Sequence, residues 1–207
     1  YIKELRDDLE VMQPNSLETG TQKALIVHMK ELFDKMGKKK QKITPLNFLT
    51  SMRLTFPQFN EKSEQGFYKQ QDAEEAYSEI LNVILNRFPK LRSYFEIGMK
   101  TTTKCLETHE DATTGNEQAL KLSCHINIHT NFLMDGLKSD MEETIEKNNQ
   151  ELGKNCKYQI KRTITSLPKY LTIHFVRFFW KRETKKKSKI LRKVQFPFQL
   201  DVTDLLD

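Results

Sequence analysis

Cysteine is scarce in this chain. There are three, Cys105, Cys124 and Cys156, an odd count with no close pair. That excludes a disulfide framework and fits a reducing compartment. Six prolines and seven glycines are too few for a fibrous or disordered class. No apolar run approaches the roughly 20 residues of a membrane span, so no membrane partner is expected. No secretory signal is visible, because the opening residues mix charged and apolar side chains. The first residue is Tyr1 rather than Met, and the chain is expected to be an excerpt of a longer protein.

At 207 residues, 37% hydrophobic and 30% charged, the chain is long enough to bury a real core. The net charge of +6 raises the question of nucleic acid. Its location answers it. Residues 181–193 hold eight cations and one anion, a local +7 that leaves the rest of the chain at −1. A nucleic-acid domain spreads cations over a face and interleaves aromatics. One basic loop is expected instead, and no nucleic-acid partner.

Periodicity splits the chain in two. Residues 1–90 read as helical. Leu25, Ile26, Met29, Leu32, Phe33 and Met36 form one stripe. Thr44 is placed to cap a second helix, with Pro45 at its first helical position. After residue 93 the period becomes two. Phe95, Ile97 and Met99 alternate with polar neighbours, as do Leu120, Leu122, Cys124, Ile126 and Ile128. Residues 109–116 read as a polar turn containing Gly115, and residues 133–146 as a helix. Tyr158, Gln159 and Ile160 read as strand, and residues 170–180 as a strongly apolar central strand with Phe178 and Phe179 on opposite sides. Helices first and a sheet afterwards predict an α+β architecture.

One stretch carries more polar side chains than a helix start needs. Behind Asp72 come Ala73, Ala76, Tyr77, Ile80, Leu81, Ile84 and Phe88, at helical spacing. Asp72 stands at the N-cap position, and Glu75 three residues later completes an acidic capping-box pattern. Gln70, Gln71 and Tyr68 are not needed for that. The run Gln70-Gln71-Asp72-Ala73-Glu74-Glu75 resembles the Gln-Gln-Asp box of the ubiquitin-specific proteases, papain-like thiol enzymes. Leu167-Pro168-Lys169-Tyr170-Leu171 with Arg177-Phe178, and Phe196-Pro197-Phe198-Gln199-Leu200-Asp201, resemble two further boxes of that family, in the same order. Phe56-Pro57-Gln58-Phe59 and Val176-Arg177-Phe178-Phe179-Trp180-Lys181 look most like its proteasome-associated branch.

The resemblance implies an incomplete papain-like fold. Residues 1–93 are expected as thumb-like helices and 94–164 as β fingers. Residues 165–207 are expected as the first part of the palm, with the basic loop 181–193. It implies a cysteine-type deubiquitinase, with ubiquitin as substrate, the proteasome as partner, and a cytoplasmic and nuclear setting. The family's Cys and His boxes have no counterpart here, so no catalytic residue is assigned and the chain alone is expected to be inactive. Cys124 and His125 are sequence neighbours on a strand and point to opposite faces. The family's fingertip zinc uses two Cys-x-x-Cys pairs. Here Thr108 follows Cys105 and Gln159 follows Cys156 at that spacing, so no metal and no cofactor is expected.

What remains is recognition. The ubiquitin tail ends Leu-Arg-Leu-Arg-Gly-Gly. Its arginines call for carboxylates, since a guanidinium fork pairs well with one. Its leucine calls for an aromatic wall. The resemblance therefore points to Gln70, Gln71, Asp72, Glu75, Phe178 and Phe179 as tail-binding candidates. The alternative is a non-catalytic ubiquitin-binding module or pseudoenzyme scaffold.

Overall fold

A computed structural model describes residues 2–12, 20–38, 42–108, 111–181, 183 and 185–207. It divides into two compact units, Tyr1–Arg92 and Ser93–Asp207. The first is helical and the second is built mainly on strands, an α+β architecture.

The helical unit contains α1 (Lys3–Val11), α2 (Thr21–Gly37), α3 (Leu46–Thr55) and α4 (Ala73–Arg87). Its core takes Leu5 and Leu9 from α1, and Leu25, Ile26 and Met29 from α2. The α2 stripe fades toward its end, where Met36 is exposed. His28 Nδ1 meets Ser51 Oγ at 2.6 Å and ties α2 to α3. Pro45, not Thr44, occupies the N-cap of α3; its carbonyl accepts the first helical bond from Leu49 N–H at 2.9 Å. A one-residue shift of this kind is common where no side chain caps the end. After α3 a 3-10 turn, Pro57–Asn60, buries Phe59, which meets Phe56 edge to face with centroids 5.9 Å apart. Asp8, buried on α1, pairs with Lys90 beyond the end of α4.

A short α5 (Arg92–Phe95) leads into β1 (Ile97–Cys105). β2 (Thr113–Ala119), β3 (Leu122–His125), α6 (Leu133–Met141), β4 (Glu142–Asn149) and β5 (Lys154–Ser166) follow. An antiparallel sheet runs in the order β2-β1-β5-β4. β3 pairs in parallel with β6 (Ile173–Val176), joining Leu122 to Ile173 and Cys124 to Phe175. β7 (Phe178–Lys181) and β8 (Lys186–Lys189) form a separate antiparallel ribbon.

The core of this unit lies where α6 meets the strands. Leu133, Leu137 and Met141 of α6 pack with Ile97, Met99, Leu122, Cys124, Ile164 and Leu205. Gly136 sits inside α6, where glycine costs about 0.5–1 kcal/mol relative to alanine. It is there because a Cβ would run into Cys124 Sγ. The close approach of helix to strand requires a residue with no side chain.

Four expectations are corrected here. The helix expected over 133–146 stops at Met141, and Ile145 lies on β4 opposite Tyr158. Thr144 and Ile145 are β-branched, and the ladder with β5 satisfies the backbone that a longer helix would have used. Gly115, expected in a turn, pairs with Thr101 inside β2, so the polar connection is shorter. The apolar run 170–180 is two strands, broken at Arg177, which belong to different sheets. Much of the expected basic loop is ribbon, with Lys189 across from Phe178. Within it, Arg182 and Thr184 lie outside the described residues.

Candidate functional site

The polar loop before α4 is held from both ends. Ser63 N–H donates to Phe67 O at 2.7 Å, and Lys69 N–H donates to Glu61 O at 2.9 Å. Gly66 takes φ +82°, a left-handed turn position that favours glycine. Tyr68 is covered by the Arg53 guanidinium, 3.6 Å from the ring centroid. No local pattern marks Arg53, which is fifteen residues earlier in the chain. The Gln71 amide donates to Gln58 O at 2.8 Å. Half of the Gln pair is thus spent on fixing the loop to the 3-10 turn.

Asp72 caps α4 as the pattern requires. Its Oδ1 accepts Glu74 N–H at 2.9 Å, and its carbonyl accepts Ala76 N–H at 3.1 Å. The cap is single: Glu75, the expected return partner of a capping box, has no hydrogen bond or ion pair to another described residue. Its carboxylate and the Gln70 amide are exposed. Glu74, which was not singled out, instead accepts Ser78 Oγ–H on its own helix at 2.5 Å. The loop therefore presents one capping carboxylate with a second oxygen to spare, a free carboxylate and a free amide within six residues. That set can receive guanidinium groups and backbone amides of an extended chain.

Phe178 and Phe179 stand on the second unit. Alternation places one of them toward a core, yet Phe178 is 51% and Phe179 48% exposed. A two-stranded ribbon has no second layer, so both faces stay open. Its base is fastened. Ile190 N–H donates to Arg177 O at 2.7 Å, the Arg177 guanidinium to Arg192 O at 2.8 Å, and Arg192 Nε to Thr130 O at 3.0 Å. An open groove of about 600 Å³ in the same unit, lined by Phe132, Phe196, Pro197 and Leu200 among others, contains neither Phe178 nor Phe179.

Comparison with known proteins bears on this arrangement. The sequence model of the family described as "Ubiquitin carboxyl-terminal hydrolase" matches residues 1–207. The chain belongs to the ubiquitin carboxyl-terminal hydrolase family. It is 39% identical over 167 residues to "Ubiquitin carboxyl-terminal hydrolase 6" of Schizosaccharomyces pombe, covering 78% of this chain and 36% of that protein. It is 34% identical over 215 residues to "Ubiquitin carboxyl-terminal hydrolase 7" of Arabidopsis thaliana, covering 99% and 45%. It is 37% identical over 171 residues to "Ubiquitin carboxyl-terminal hydrolase 14" of Caenorhabditis elegans, covering 81% and 34%. The chain spans less than half the length of these curated relatives. Its α+β fold is that of the ubiquitin-specific proteases.

Nucleophilic thiol chemistry needs a reactive cysteine beside a base such as histidine. Cys124 is buried against α6, its Sγ 3.9 Å from Leu133 O. Burial, assisted by the nearby Asp140 charge and opposed by Arg177, pushes its thiol up to about 11. His125 points elsewhere, with Nδ1 2.9 Å from Asp140 Oδ2. These neighbours form no dyad.

Cys105 and Cys156 lie at the far end of the antiparallel sheet. Cys105 pairs in register with Tyr158, and Cys156 lies two residues along β5 on the same face. The Cys156 thiol donates to Lys154 O at 3.8 Å, and both cysteines are buried. Thr108 stands where the family's second zinc cysteine would be, leaving two thiol ligands where a closed site needs four. Among the described residues, no three His, Cys, Asp or Glu side chains are grouped to hold a metal. The family's zinc does not fit this donor set. His109, the first residue of the expected polar turn, lies outside the described residues.

Proposed function

We propose that these residues are the central part of a thiol-dependent deubiquitinase that cleaves ubiquitin from its conjugates. In this reading the exposed polar set at residues 70–75 holds the substrate's C-terminal tail. The observation that carries it is the free carboxylate of Glu75 beside the capping carboxylate of Asp72, on a chain that matches the family model from end to end. Two carboxylates suit the two tail arginines. The exposed rings of Phe178 and Phe179, on the second unit, are separate candidates for contact with the tail's leucine.

The nucleophile and base are assigned to sequence outside residues 1–207. Support comes from the three cysteines present: all are buried, and none has a histidine partner among the described residues. The chain alone is therefore inactive and the complete protein active. Action at the proteasome, inside cytoplasm and nucleus, belongs to the same proposal. It is supported by the resemblance of residues 56–59 and 176–181 to the proteasome-associated branch, and by the odd count of free thiols.

The test is turnover of a fluorogenic ubiquitin C-terminal substrate by the chain and by the complete protein. Activity only in the complete protein is the expected result. Turnover by the isolated chain that is lost on replacing one cysteine overturns the assignment of the nucleophile. A complete protein that binds ubiquitin without turnover makes this a non-catalytic binding module instead.

A further inference from the structure

Gln70 lies between two anchors that come from one place. Before it stands Tyr68, under the Arg53 guanidinium, and after it stands Gln71, whose amide donates to Gln58 O. Arg53 is on α3, and Gln58 is on the 3-10 turn that follows that helix. The end of α3 thus grips the candidate loop on both sides of Gln70, next to the Asp72 cap.

The first anchor has little else behind it. Residues 61–69 form a short hairpin, with Lys62 bridged to Tyr68 and a turn in which Gly66 N–H donates to Ser63 O at 2.9 Å. None of residues 61–70 is buried, and Phe67 is 72% exposed. A two-stranded hairpin with no buried apolar face is marginal by itself. The Lys69–Glu61 pair at 3.1 Å is exposed at both ends, and such pairs contribute little. The Tyr68 ring ties this hairpin to α3. The Arg53 guanidinium carbon stands 3.6 Å from the ring centroid, and Lys62 Nζ stands 5.2 Å from it. The negative face of an aromatic ring attracts cations, and a planar guanidinium can also stack on it. Among the described residues the Arg53 guanidinium has no ion-pair or hydrogen-bond partner, so the stack is not a by-product of another contact. The Tyr68 hydroxyl has none either, which leaves the ring as the working part of that side chain.

We propose that Arg53 is a positioning residue for substrate binding. By holding Tyr68 against α3 it fixes the backbone from Lys69 to Asp72 in the form that receives an extended peptide tail. This inference rests on the proposed role of residues 70–75. Arg53 acts through Tyr68 and not by touching the substrate. Without it the loop loses order in the free protein, and the substrate must restore that order on binding.

The experiment measures ubiquitin affinity by calorimetric titration, and turnover of the fluorogenic ubiquitin substrate, in the complete protein. Arg53→Ala and Tyr68→Leu should each weaken binding several-fold, with KM raised and kcat within about twofold of wild type. The double variant should lose no more than either single one, because both break the same contact. Tyr68→Phe keeps the ring and should bind as wild type does. Arg53→Lys keeps the charge without the planar fork and should fall between. Wild-type affinity in Arg53→Ala, or additive losses in the double variant, overturns the proposal. Asp72→Asn is the reference. If it weakens binding and Arg53→Ala does not, the tail site stands and the positioning role falls. A wild-type complete protein that does not bind ubiquitin overturns the proposed function and this inference together. Amide hydrogen exchange supplies the second readout. In Arg53→Ala the Lys69 amide, bonded to Glu61 O at 2.9 Å, should exchange several-fold faster while α4 is unchanged. Unchanged exchange at Lys69, or faster exchange throughout the helical unit, overturns the assignment. If Arg53→Ala does not fold, the contrast between Tyr68→Leu and Tyr68→Phe decides.

Discussion

The loop before α4 and the β7–β8 ribbon carry the two sets of tail-binding candidates on different terms. The loop is fastened by side chains that are themselves candidates: Gln71 holds Gln58, and Asp72 caps the helix. The ribbon is fastened at its base by Arg177 and Arg192, and its candidates Phe178 and Phe179 hang free of any core. Binding and stability are therefore coupled in the first region and separable in the second. A substitution in the loop tests two things at once, whereas one in the ribbon tests recognition alone.

The scale for both is set by the interior. Leu137→Ala on α6 removes a fully buried side chain packed between strands and should destabilise the second unit by about 2–5 kcal/mol. Denaturant melts combined with hydrogen exchange on α6 would measure it. A smaller loss would mean that α6 can collapse onto Gly136 and Cys124.

Within the loop, Asp72→Ala should cost about 1 kcal/mol through the lost cap. It should weaken ubiquitin binding by the complete protein more than the lowered melting temperature explains. Asp72→Asn separates the two roles, because asparagine caps as well as aspartate but carries no charge. Stability close to wild type with weakened binding is the expected outcome. Unchanged binding in Asp72→Asn would reduce Asp72 to a cap and break the coupling.

Phe178→Ala and Phe179→Ala should change stability by no more than about 0.5 kcal/mol, as for exposed surface positions. Calorimetric titration with ubiquitin should show weaker binding for at least one of them. If either lowers the melting temperature as much as Asp72→Ala does, the ribbon is part of a core and the contrast fails.

The smallest effect is on acid stability. Lys154, bonded to Glu107 at 2.7 Å, holds that carboxylate below its ordinary 4.5. A depressed folded value means that the stabilisation is complete above pH 4.5 and is lost as pH falls through the lower folded value. Lys154→Met should flatten that acid limb in melting temperatures taken against pH.

Periodicity and local capping rules placed the helices, the switch to strands near residue 93, and Asp72 at the start of α4. These are decided within a few residues, by which groups a backbone segment can satisfy and which face it can bury. The six candidate residues came from the family resemblance, and of them only Gln70 and Gln71 also stood out as polar side chains beyond what a helix start needs. What no local rule contains is pairing. The conversion of Ile145 from helix to strand depends on β5. The parallel match of β3 with β6 spans some fifty residues, and the exposure of both Phe178 and Phe179 follows from β7 pairing with β8 alone. Gln71 meeting Gln58 and Cys105 lying opposite Tyr158 are likewise tertiary facts. The sequence by itself determined an α+β chain with an anchored acidic helix start. Only the tertiary structure decided which polar groups were used up in holding it together, because a hydrogen bond between distant residues exists only once the chain has brought them within reach.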